Sequence, residues 1–177
     1  AAFQQSQALM RRGNYVVAAG VFRSLLEQRK DLSAETEAKI RCWLSEALEG
    51  LGRYEESLGV IECYEDPLWR SQLSESAYAW SRLRLGLAYA RTGGNKAITR
   101  LKEALRIFEE LEDFEGFSAA QYGLAFKYCE NLEFKIAHDH LNLALKYERL
   151  ITNRQLLAHI YLTSGVIKFK EGFYADA

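Results

Sequence analysis

The chain has a single proline, Pro67, in 177 residues. Because proline breaks helices, its scarcity leaves long helical stretches open. No charge of either sign is in excess: 23 Lys and Arg stand against 24 Asp and Glu. No summed field then exists to hold a polyanion or to dock on an acidic membrane, and nucleic acid is not an expected partner. No apolar run approaches the roughly 18 residues of a membrane span, and the N-terminus lacks the basic-then-apolar layout of a signal peptide. The expectation is a soluble, cytoplasmic protein without membrane insertion. Cysteine is scarce and odd in number, with Cys42, Cys63 and Cys129 forming no Cys-x-x-Cys pair. They read as small buried apolar residues in a reducing compartment.

Motifs for chemistry are missing as well. There is no Gly-rich phosphate loop after a strand and no Gly-x-Ser-x-Gly elbow, so neither a cofactor nor catalysis is expected, and the chain reads as no enzyme. His138-Asp139-His140 has the residue types of a metal site. Residues two apart on a helix, however, point about 200° from each other and cannot share an ion. The pairs Glu55-Glu56 and Glu109-Glu110 fall where helix surfaces meet water, each with cations at ion-pair spacing.

Apolar residues make up 49% of the chain, and Ala, Leu, Glu, Arg and Lys dominate, which favours helix throughout. The strings Gly13-Asn14-Tyr15-Val16-Val17-Ala18, Gly52-Arg53-Tyr54-Glu55-Glu56-Ser57 and Gly172-Phe173-Tyr174-Ala175-Asp176-Ala177 are versions of one marker. Its small residue recurs as Ala18, Ser57, Ala97, Ala137 and Ala177, at separations of 39, 40, 40 and 40. One helical turn later stands an apolar partner: Phe22, Ile61, Leu101 or Leu141. Upstream, a second helical segment carries its own small residue, Ser6, Ser45, Gly86, Ala125 or Gly165. Each unit is therefore a helix, a short turn and an antiparallel helix. The glycines at 13, 52, 93 and 172 fit helix C-caps needing positive φ, with Leu132 in that place in the fourth unit. Thr152 to Gln155 spells a capping box for the fifth.

Leu85-Gly86-Leu87-Ala88-Tyr89, Leu124-Ala125-Phe126-Lys127-Tyr128 and the spacing from Ala18 to Phe22 resemble the tetratricopeptide repeat family. The resemblance covers nearly the whole chain, with two departures: the family's period is 34 residues rather than about 40, and its closing proline is missing. Six additional residues make about 9 Å of helix, so the helices are longer. Long repeats of this kind resemble those of kinesin light chains, spindle-orienting adaptors and the sensor domains of maltose-activator-type transcription activators. The run 104–125 looks most like the last group. The fold so implied is an all-α, superhelical solenoid of antiparallel hairpins, one domain over 1–177. Its units are approximately 1–31, 32–70, 71–112, 113–151 and an incomplete 152–177, the whole being a piece truncated at both ends. An uncapped fifth helix should expose apolar surface and self-associate.

The resemblance also implies a concave groove lined by the first helices. A second apolar stripe on these helices falls there: Leu83, Leu87 and Ala90; Tyr122, Phe126 and Cys129; Leu162, Val166 and Phe169. Packing between neighbouring units would account for such a stripe equally. Aromatic anchors at Trp80, Tyr122, Phe126 and Phe169, with Arg11, Lys39, Arg91 and Lys170 beside them and Leu87 and His159 in register, form the expected partner-binding set. The family's carboxylate clamp is not matched: its positions hold Phe3 and Gln7, Cys42 and Glu46, Leu83 and Leu87, Tyr122 and Phe126. A groove apolar with basic edges suits an amphipathic helix or an apolar-acidic peptide. The leading expectation is thus a protein-protein interaction module, a scaffold or adaptor that binds a partner peptide. Two others stand beside it: a ligand- or peptide-sensing regulatory domain of a bacterial signalling or transcription-regulatory protein, and a structural spacer.

Overall fold

A computed structural model describes residues 2–28 and 31–175. Among these residues there are ten α-helices and no strand. The first unit pairs α1 (Ala2–Arg11) with α2 (Tyr15–Gln28), and the second pairs α3 (Ala34–Gly50) with α4 (Tyr54–Ile61). A one-turn helix, α5 (Trp69–Gln72), precedes the third pair, α6 (Glu75–Thr92) and α7 (Ala97–Glu110). The fourth joins α8 (Phe114–Glu130) to α9 (Phe134–Leu145), and α10 (Arg154–Ala175) closes the array. Each long helix packs on those before and after it, and the first helices α3, α6, α8 and α10 also pack in succession on one another. No described helix is long and apolar enough to cross a membrane.

The hairpin turns repeat one backbone solution. Gly13, Gly52 and Gly93 take φ values of 73°, 72° and 79°. In these turns the next residue's N–H reaches back five positions, as in Arg53 to Leu48 O at 2.8 Å and Gly94 to Tyr89 O at 2.7 Å, which satisfies carbonyls the helix end leaves open. Leu132 adopts the same left-handed conformation, φ 63°, and Glu133 closes the turn on Tyr128 O at 2.9 Å. The fourth turn is thus as sharp as the others. The fifth departs from expectation: α10 runs through Gly172, so no hairpin turn forms there, and the marker residue Ala177 lies outside the described residues.

The small residues are where the two helices of a hairpin meet. Ser6, Ser45, Gly86 and Ala125 are buried, as are Ala18, Ser57, Ala97 and Ala137 opposite them. In the second unit the pair bonds directly, Ser45 Oγ to Ser57 Oγ at 2.8 Å. Phe22, Ile61, Leu101 and Leu141 fill the space one turn on, each 3% exposed or less.

Helix starts are capped by side chains. Ser33, Ser74 and Asp113 each accept from the backbone N–H three residues on. For α10 the cap is Asn153 rather than Thr152, its Oδ1 accepting from the N–H groups of Gln155 and Leu156 at 3.0 and 3.1 Å. Thr152 is drawn away by another unit, donating through its N–H and Oγ1 to Glu115 Oε2 at 3.2 and 2.9 Å. Glu35 holds Ser74 in the same manner, at 3.1 and 2.8 Å. Glu75, forty residues from each of these glutamates, instead accepts from Arg70 at 2.7 Å. The next unit starts there with Asp113, whose carboxylate has no proton to give.

Candidate functional site

The first helices enclose two adjoining cavities of about 470 and 360 Å³, which together form a channel. Phe3, Gln7, Lys39, Cys42 and Trp43 line the larger one. Tyr15, Glu49, Tyr54, Leu83, Leu87, Arg91, Tyr122 and His159 line the other. Glu46, Trp80, Arg84, Glu115 and Asn153 belong to both walls and mark the middle. A smaller hollow of about 260 Å³ lies beside the first, among Phe3, Leu25, Leu32 and Ile40. The channel is bridged between units one and five: Gln155 Nε2 donates to Met10 O at 2.8 Å and to Tyr15 Oη at 3.3 Å.

Charge is concentrated at the middle. Arg84 is only 6% exposed, its Nη2 lying 2.9 Å from Glu49 Oε1 and 3.4 Å from Ser45 Oγ. Its Nε meets no acceptor. Burial raises the Glu46 carboxyl above the usual carboxylate range; nearby Arg84 opposes this, while Glu49 and Glu115 reinforce it. Trp80 is held edge-on against Phe108, ring centroids 5.2 Å apart. Burial pushes the Cys42 thiol up to about 12, so no thiolate is present there at neutral pH to act as a nucleophile.

At one side of the channel Arg91 lies over Phe126, 4.1 Å from the ring centroid, and donates to Tyr122 Oη at 3.1 Å. The Tyr122 ring is 6.1 Å from that of His159. Partial desolvation, with the Arg91 charge adding to it, lowers the His159 imidazole below its ordinary value.

Of the ten residues expected in a groove, Lys39, Trp80, Leu87, Arg91, Tyr122 and His159 line the channel. Arg11 is exposed at the end of α1. Phe126 sits beneath Arg91 without reaching either cavity wall. Farther along α10, Phe169 is 76% exposed and Lys170 pairs with Glu130 at 2.6 Å. The second apolar stripe divides by unit. Leu83, Ala90, Tyr122 and Cys129 are buried in the stack, whereas Leu162, Val166 and Phe169 are exposed. Seven of the eight residues at the clamp positions, Phe3, Gln7, Cys42, Glu46, Leu83, Leu87 and Tyr122, are channel residues.

Sequence reasoning did not find Glu49, Arg84 or Glu115. A signal existed for Arg84: Ser-Arg-Leu-Arg-Leu at 81–85 puts two arginines into a run that is otherwise apolar. Nothing local marks Glu115, whose place depends on how the units stack. His138 and His140 turn to different neighbours, Glu171 Oε2 at 2.8 Å and Gln121 Oε1 at 2.6 Å. Among the described residues no three His, Cys, Asp or Glu side chains converge as a metal site. Compared with protein families, with curated proteins and with solved structures, the chain gives no match.

Proposed function

We propose that the chain is a protein-interaction module, a tetratricopeptide-like solenoid whose channel binds an extended or helical peptide of a partner protein. The observation that carries this reading is the channel itself. It is walled by first helices from all five units and furnished with aromatic side chains beside charged ones. Such a surface suits a peptide, with aromatic anchors supplying contact area and polar groups fixing register. The test is capture of partners by the wild type and by a Trp80→Ala, Arg91→Glu variant whose fold is checked by circular dichroism. A protein held by the first and lost by the second is the expected result; equal retention by both would refute channel binding.

A second reading, a sensor domain, draws on the Gln155 bridge between the first and fifth units. A ligand entering the channel would press on this bridge and alter the spacing of the ends. One saturable ligand accompanied by a change in end-to-end distance, measured by fluorescence transfer between labels on α1 and α10, would favour the sensor over the adaptor.

A further inference from the structure

The channel's middle carries more negative than positive charge. Glu49 already answers Arg84, at 2.9 Å. That leaves the carboxylates of Glu46 and Glu115, both on the wall shared by the two cavities. Glu115 takes its two hydrogen bonds from Thr152 on Oε2 alone. Glu46 makes no hydrogen bond and no ion pair within 4 Å, although it is half-buried. A carboxylate drawn from water without a donor is costly, and a cation in the channel would remove that cost. Of the protein's own cations, Arg84 acts on Glu46 only from beyond ion-pair distance, Arg91 is engaged by Tyr122 and Phe126, and Lys39 pairs with Glu35 at 3.7 Å. Trp80, on the same wall, adds an aromatic surface against which a cation is stabilised.

The second polar feature narrows the ligand. Arg84 is more than nine-tenths buried on this wall. A purely cationic ligand, such as a polyamine, would be repelled by that guanidinium. A peptide brings one cationic side chain to the carboxylates and leaves neutral backbone beside Arg84.

We propose that the middle of the channel receives a Lys or Arg side chain of a bound peptide, the cation meeting Glu46 and Glu115 beside Trp80. The proposal rests on the peptide-binding reading above. It sets aside the apolar-acidic peptide that the sequence suggested.

Randomised peptides displayed on phage, selected on the wild type and on a Glu46→Gln, Glu115→Gln variant, provide the test. Selected peptides are then synthesised and titrated by fluorescence anisotropy. The expected result is a fixed Lys or Arg in the wild-type selection and binding to the variant weaker by about tenfold or more. Replacing that basic residue by Gln should cost a similar factor on the wild type and little more on the variant. Peptides selected without a basic position, or basic peptides that bind both proteins equally, would overturn the inference and leave the peptide-binding reading intact. No selection on the wild type would remove both. Displacement of the peptide by spermidine at similar affinity would overturn the choice of a peptide over a polyamine. Should the variant fail to fold, a photo-crosslinker beside the peptide's basic residue decides on the wild type: attachment at Trp80 or Asn153 supports the proposal, and attachment elsewhere refutes it.

Discussion

A missing methyl group sets how closely α6 and α7 approach. A Cβ on Gly86 would stand 2.6 Å from Leu101 Cγ and 3.0 Å from its backbone nitrogen, and a backbone atom cannot swing aside as a side-chain tip can. Gly86→Ala should therefore lower stability by about 1–3 kcal/mol, the gain in helix propensity notwithstanding, read as a lower urea midpoint at constant slope. Ala137, fully buried between α8 and α9, is the same kind of position. Ala137→Glu would force a charge into that contact and should unfold the fourth unit and its neighbours; an unaltered melting curve would refute the register. Charge acts in the other direction at Glu65. Arg100 holds it in two hydrogen bonds of 2.8 and 2.7 Å, which lower its carboxyl from 4.5 to about 2. A depressed folded-state value means the contribution is complete above about pH 5 and fades as pH falls toward 2. With solvent screening it amounts to about 1–2 kcal/mol. Glu65→Gln should flatten the acid limb of stability in that window, and an unchanged limb would show that the pair contributes nothing.

The hairpin turn is the element whose sequence and backbone agree best, and its exception is informative. Gly13, Gly52 and Gly93 were legible as caps because positive φ restricts the residue locally, whatever the rest of the fold does. Leu132 takes φ 63° while 48% exposed, so its side chain recovers little by packing. Leu132→Gly should raise stability by about 0.5–1 kcal/mol, since a left-handed Leu costs about 1–2 and glycine gives part of that back in unfolded-state entropy; a lower thermal midpoint would contradict this account. The 40-residue period and the small buried residues were legible for the same local reason, because helix contact repeats with the chain. The start of α10 was not. Thr152 has the local chemistry of a cap, but Glu115, brought in from the preceding unit, takes its hydroxyl, and Asn153 caps instead. Gly172 carried the marker but not the turn, since α10 continues through it. Glu49 and Glu115 escaped notice because their place in the channel depends on how α3, α6 and α8 stack, and no short window of sequence records that.

At the scale of the whole molecule, the stripe that is buried inside the stack becomes surface at its far side. Tyr122 and Cys129 are 8% and 2% exposed, yet their counterparts forty residues on, Leu162 and Phe169, are 67% and 76% exposed, with Val166 between them at 41%. In the stack these positions lie where first helices pack on one another, so the exposed copy has the shape and apolarity of half an interface. Two such faces meeting across a twofold axis would each cover the other, the arrangement most dimers adopt. Sedimentation equilibrium over a wide concentration range should then show reversible dimers of the wild type. Leu162→Ser with Phe169→Ser should shift the dissociation constant upward by about a hundredfold or more, since burying two such side chains contributes about 3 kcal/mol or more. The substitutions lie on exposed positions, so the melting temperature of the monomer should stay within a few degrees. A wild type that remains strictly monomeric at the highest concentration would refute self-association through α10. A variant that dimerises as well as the wild type would move the contact elsewhere, with the channel and its Gln155 bridge as the next surface to mutate.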